Sequence, residues 1–162
     1  MIALSFPDNF VAVLLAQLQT SMGGPTVMDT QAQGFFTRPL RPDDPNLSVS
    51  VFELDVEPIE YEISGGQRPS LMRWNVHVQV YVKALNETDG RSTRSKLLQR
   101  VRATLFSDVT TTALMTLKDR GNQERVTKFR MRRITFASGE GPRTGEMFFL
   151  GQVELYFETE YH

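Results

Sequence analysis

Met72-Arg73-Trp74-Asn75-Val76-His77-Val78-Gln79-Val80-Tyr81-Val82-Lys83-Ala84-Leu85 alternates in polarity along its whole length. Trp74, Val76, Val78, Val80, Val82 and Ala84 fall on one side, and Asn75, His77, Gln79, Tyr81 and Lys83 on the other. A period of two in β-branched and aromatic residues is that of a strand with one face buried and the other meeting water or a partner. Such a strand requires neighbouring strands at its edges and a second layer over its apolar face.

Upstream, Val49 to Val56 alternates and is rich in β formers; Pro58 interrupts it, and Ile59, Tyr61 and Ile63 resume the period. A bulged or bent strand pair is expected there, with Ser64-Gly65-Gly66-Gln67-Arg68-Pro69 as a turn. Downstream, Asn86-Glu87-Thr88-Asp89-Gly90 is expected to break the strand. Ser92 or Thr93 then caps a helix to about Phe106, stacking Leu97, Val101 and Leu105 with Leu98 and Ala103 nearby. Thr110, Thr111 and Thr112 precede a short apolar piece, Ala113 to Leu117, and Gly121-Asn122 marks a turn. Arg125 to Phe136 reads as a strand with Phe129 and Met131 on one face and Val126, Ile134 and Phe136 on the other. A hairpin loop at Gly139 to Arg143 leads into a last strand, Glu146 to Glu160, with Met147, Phe149, Val153, Leu155 and Phe157 on one face.

At the start of the chain, Asp8 is a candidate N-cap for a helix striped by Phe10, Leu14 and Leu18 with Val11, Leu15 and Met22. Gly23-Gly24-Pro25 ends it. From residue 23 to 48 the chain carries Gly34, Pro39, Pro42 and Pro45 without sustained periodicity, the pattern of a long loop or arm. Phe35 and Phe36 on that segment either dock onto another surface or plug the domain's own core. The expected fold is one α+β domain over residues 1–162. Its antiparallel β-sheet packs against the N-terminal helix and the central amphipathic helix.

The 162 residues are 40% hydrophobic and 23% charged, with a formal net charge of -1. A chain of this size buries roughly 68–70% of its unfolded surface and needs no metal or disulfide staple. With no cysteine, disulfides, thiolate metal sites and cysteine nucleophiles are excluded, and a reducing compartment fits. The two histidines, His77 and His162, leave little for a metal centre or a catalytic relay. The early apolar run from Phe10 to Ala16 is too short to span a bilayer, and no Lys or Arg precedes Arg38, so neither membrane association nor a secretory leader is expected.

The near-zero net charge conceals a division. Residues 1–72 carry nine acids against three bases, residues 73–133 five against fourteen, and residues 134–162 five against one. These runs either solvate different faces or attract neighbouring copies or a polyanion. Arg91, Arg94, Lys96, Arg100 and Arg102 on the helix, with Arg125, Lys128, Arg130, Arg132 and Arg133 on the following strand, are candidates for a phosphate-facing surface. No aromatic residues interleave with them as a stacking platform requires, so only passing contact with DNA is expected.

For chemistry the pattern offers little. His77 lies on the polar side of its strand with no second ligand at suitable spacing. Glu53, Asp55 and Glu57 follow at period two, which marks the wet face of a strand or a contact with basic residues of a neighbouring copy. The glycine pairs at Gly65-Gly66 and Gly139-Glu140-Gly141 lack the strand–loop–helix context of a phosphate loop. No catalytic, cofactor-binding or metal residues are assigned, and an enzyme is not expected.

The string from Met72 to Ala84, a gap ending in Gly90, an amphipathic helix ending at Leu105-Phe106 and a final long hairpin resemble the tail terminator proteins of long-tailed bacteriophages. The resemblance covers most of the chain after Ser48, and the segment from Gly23 to Ser48 departs from the compact pattern of that family. It implies a small α+β virion subunit, assembled in the host cytoplasm as a sixfold ring on the head-proximal end of the tail tube. The ring would stop tube polymerisation and present its other face to head-completion proteins at the neck. On that reading Arg91, Arg94, Arg100, Arg130, Arg132, Glu53 and Asp55 are candidates for the subunit interface or the lining of the channel. Phe35 and Phe36 are candidates for tube docking. A head–tail connector or stopper is the nearest rival, and a DNA-binding module a more distant one.

Overall fold

The computed structural model describes residues 6–22, 32–61, 69–117, 124–141 and 143–161. The expectations for Gly23 to Pro25, Ile63, the turn from Ser64 to Arg68, and Gly121-Asn122 lie outside the described residues. In chain order the elements are α1 (Phe6–Met22), β1 (Gly34–Phe36), β2 (Ser48–Tyr61), β3 (Pro69–Ala84), α2 (Glu87–Leu105), α3 (Asp108–Met115), β4 (Glu124–Glu140) and β5 (Met147–Tyr161). The fold is α+β, with helices packed on a five-stranded sheet of order β1-β2-β3-β5-β4.

The alternating strand β3 is central, and on the face expected to be buried Val76, Val78, Val80 and Val82 are buried while Trp74 and Ala84 are partly so; on the other face Gln79 and Tyr81 are buried as well. The partners of the four valines are Phe10, Leu14 and Leu18 of α1, Leu97, Val101 and Leu105 of α2, and Phe149, Val153, Leu155 and Phe157 of β5. Phe10 stacks on Phe157 with ring centroids 3.6 Å apart, tying α1 to the sheet. At about 25 cal/mol per Å² of apolar surface removed from water, this continuous core is the main stabilising contribution.

Several local expectations are corrected. The sheet is mixed, because Gly34–Phe36 pairs in parallel with Ser48–Ser50, and residues 37–47 supply the crossover that a parallel pair requires. Asp8 lies inside the first turn of α1 rather than at its cap. The cap of α2 is Asn86, whose side chain accepts a hydrogen bond from the Asp89 backbone N–H, so Asn86 to Gly90 begins the helix instead of preceding it. Ala103 points to solvent, and Thr104 takes the buried position.

Bulges account for the remaining differences. β2 runs through Pro58 as one strand, with register shifts between Glu53 and Asp55 and between Pro58 and Tyr61. Among the described residues β1 covers its outer edge only to Ser50, so Pro58 lies where a missing N–H costs no ladder bond. β4 is shifted between Val126 and Lys128 and again between Met131 and Arg133. Each extra residue re-phases the side chains. Val126, Phe129, Met131, Ile134 and Phe136 therefore all oppose β5 residues of the helix-covered face, where strict alternation divides them between two faces.

The segment read as a loop or arm is, from Ala32 onward, docked on the molecule's own sheet. The backbone N–H of Leu40 donates to Gln79 Oε1, the Tyr81 hydroxyl donates to the Pro42 carbonyl, and the Lys83 N–H donates to Asn46 Oδ1. Asp44 is almost fully buried and accepts two bonds from Arg38, at 2.7 and 3.0 Å, and one from the Arg41 N–H.

Candidate functional site

One face of the sheet is sealed by α1 and α2; the other carries a network of charge drawn from four strands. β3 places Arg73, Asn75 and His77 there, β5 places Glu154, Tyr156 and Glu158, β4 places Lys128, Arg130 and Arg133, and β2 places Asp55 and Glu57. The register brings opposite charges face to face, the arrangement that stabilises cross-strand pairs.

Arg73 is the hub. Its guanidinium reaches Glu158 at 2.9 Å and Glu57 at 3.8 Å and lies 4.5 Å above the Tyr156 ring. Lys128 approaches the same Glu158 at 3.8 Å, and Arg132 covers Tyr156 at 5.5 Å. At the other end Arg133 donates to Glu154, which also lies 3.7 Å from His77 Nε2. The hydrogen bond from Arg133 holds the Glu154 carboxyl below the usual range, whereas burial pulls His77 below the ordinary histidine value despite Glu154. The Glu158 hydrogen bond raises Arg73 further. Such a network leaves paired and projecting charges on the open face of the sheet and, among the described residues, sets no nucleophile beside a base.

The structure brings some candidate residues together and separates others. Asp55 belongs to the charged face, accepting from Asn75 Nδ2 at 2.6 Å, with Glu57 beside it. Glu53 does not: the bulge turns it to the helix side, opposite Val76, where burial and the neighbouring Asp8 carboxyl raise its pKa. The three acids therefore do not share a strand face. Arg130 is exposed opposite Tyr156, and Arg132 sits at the bulge next to it.

The basic helix and the basic strand do not form one phosphate-facing surface, because α2 lies on the helix side and the β4 bases named above point to the opposite face. Arg91 pairs with Glu87 one turn earlier on its own helix. Arg94 is half-buried, its guanidinium 4.5 Å from the Phe136 ring, and burial lowers its pKa; it clamps α2 to the final hairpin. Arg100 is half-buried on α2. Phe35 packs against the core and Phe36 lies under Arg38 at 4.3 Å, so both aromatic rings already have partners within the chain.

Sequence reasoning missed Arg73, Tyr156, Glu154 and Glu158 as members of this surface. Their signal is the polar half of the alternation in β5, Gln152, Glu154, Tyr156, Glu158 and Glu160, set against a basic strand one hairpin away. Among the described residues no group of three or more His, Asp or Glu is placed to hold a metal ion, and no helix is long and apolar enough to cross a membrane. Compared with known protein families and with curated proteins, the chain matches none.

Proposed function

We propose that this chain is a structural virion protein whose ring caps the head-proximal end of a phage tail tube, stops tube polymerisation and joins the tail to head-completion proteins. The observation that carries the reading is the place of the Trp-led strand. Met72 to Ala84 forms the centre of the sheet, α2 follows it directly and folds back over it, and the β4–β5 hairpin completes the sheet beside it. Those are the elements, in the order, on which the resemblance to tail terminators rests.

The charged sheet face supports the same reading, since contacts between copies in a ring draw on complementary charge. Separation of the α2 and β4 bases to opposite sides counts against a duplex-binding module and leaves passing contact with DNA in the channel. Purified tail tubes incubated with the protein test the proposal. Density at one end of each tube, and arrest of elongation when tube subunits are added, are the expected results. Binding to filled heads without binding to tubes would overturn the terminator reading and identify a connector or stopper.

A further inference from the structure

We infer that copies of this chain join head to tail through their sheets, the outer edge of β2 in one copy pairing antiparallel with the free edge of β4 in the next. The inference deepens the ring reading above and rests on it. Four features converge on these two edges.

The first is unpaired backbone. β4 is 17 residues long and, among the described residues, pairs only with β5. β2 has β3 on one side, and β1 covers its other side only at Ser48–Ser50. Long open edges invite pairing with another chain and are usually kept short or covered.

Charge is the second. On the charged face the outer part of β2 carries Asp55 and Glu57 without a basic residue, Glu53 being turned to the helix side, while β4 carries Arg125, Lys128, Arg130, Arg132 and Arg133. Several β4 bases already meet acids of β5, but Arg130 has Tyr156, not a carboxylate, as its cross-strand neighbour. Pairing β2 with β2, or β4 with β4, would set like charges opposite one another; pairing β2 with β4 sets acids against bases.

Direction is the third. Neighbours from β2 through β3 and β5 to β4 are all antiparallel, so β2 and β4 run in opposite senses. A second copy in the same orientation, its β4 beside this β2, continues the antiparallel alternation. Such a heterologous contact closes into a ring when its rotation permits. The fourth feature is apolar surface at both edges: Leu54 is 50%, Val56 41% and Ile59 41% exposed on β2, and Phe136 61% on β4.

Light scattering at low salt and high protein concentration, with circular dichroism to establish folding, tests the pairing. Wild-type protein is expected to form a closed oligomer, and a wild-type monomer would overturn the inference. Asp55→Lys with Glu57→Lys, and Arg130→Glu with Arg132→Glu, are each expected to be folded monomers, because the substituted residues then meet unsubstituted residues of the same sign on the charged face of the contact. Mixed in equal amounts, they should restore the oligomer in strict alternation. Folded variants that assemble alone as wild type does, or a mixture that stays monomeric, would overturn the pairing.

A second measurement leaves the remaining charges in place. Because the chain has no cysteine, Leu54→Cys with Arg130→Cys in one chain should yield a ladder of crosslinked multimers with a short bis-maleimide. Absence of the ladder would overturn the pairing. Restored rings that fail to cap tubes would support edge pairing and remove the terminator function. Capping rings formed by either charge variant alone would do the reverse.

Discussion

Gly90, in the first turns of α2, lies against the ring of Phe149, and a Cβ built on it would stand 2.7 Å from Cζ and nearer still to Cε2 and Cδ2. Phe149 is fully packed in the core, so its ring has nowhere to withdraw. In an exposed helix, replacing Gly by Ala gains stability. Here the sign reverses: Gly90→Ala is expected to lose about 1–3 kcal/mol by overpacking, measured by urea unfolding. The double variant Gly90→Ala with Phe149→Leu should lose less than the sum of the single changes.

Arg38 and Asp44 hold the segment between β1 and β2 on the sheet. Arg38→Ala leaves a buried carboxylate with only the Arg41 N–H, so thermolysin cleavage near Leu40 and Leu47 is expected to quicken while the helical content stays unchanged. The hydrogen bonds from Arg38 hold Asp44 below the usual carboxylate range. Its contribution is therefore present above the ordinary Asp pKa and is lost as the pH falls through the folded value. In acid, with pepsin in place of the zinc protease thermolysin, wild type should approach the cleavage rate of Arg38→Ala, and equal resistance of the two proteins at neutral pH would contradict this role.

His77 predicts a second pH dependence, of a different kind. Burial lowers its pKa in the folded state, so the unfolded chain takes up a proton first as the pH falls. The folded state then loses stability from the ordinary histidine value down to the folded one, below which this contribution levels off. His77→Gln should flatten the dependence of the unfolding midpoint between about pH 7 and about pH 5, the range in which an ordinary histidine titrates. An unchanged slope would show that other groups govern it.

Much of the fold is legible in the sequence because it follows from local periodicity. Trp74, Val76, Val78, Val80 and Val82 identify the central strand, Phe10, Leu14 and Leu18 the covering helix, and Leu97, Val101 and Leu105 the second one. Each stripe buries as its period requires. Gly90 reads as a strand breaker on propensity, and only the packing of Phe149 explains a glycine inside the helix. Asn86 caps α2, but its residue type gives no stronger local signal than Ser92 or Thr93, the caps expected from the sequence.

The charged face is less legible because bulges in β2 and β4 decide it. One extra residue at Leu54 separates Glu53 from Asp55, and the shifts in β4 move Ile134 and Phe136 to the same face as Phe129 and Met131. Alternation cannot reveal such a slip, since every residue beyond a bulge changes side at once. Likewise β1 has too few residues for a period and exists through its pairing with Ser48–Ser50. The order of residues alone settles the kinds of the long elements, the apolar stripes of α1, β3, α2 and β5, and the division of charge along the chain. Tertiary structure alone decided the strand order that carries β2 and β4 to opposite edges, and the register that matches Arg73 with Glu158 and Arg133 with Glu154, because both depend on pairing between residues far apart in the chain.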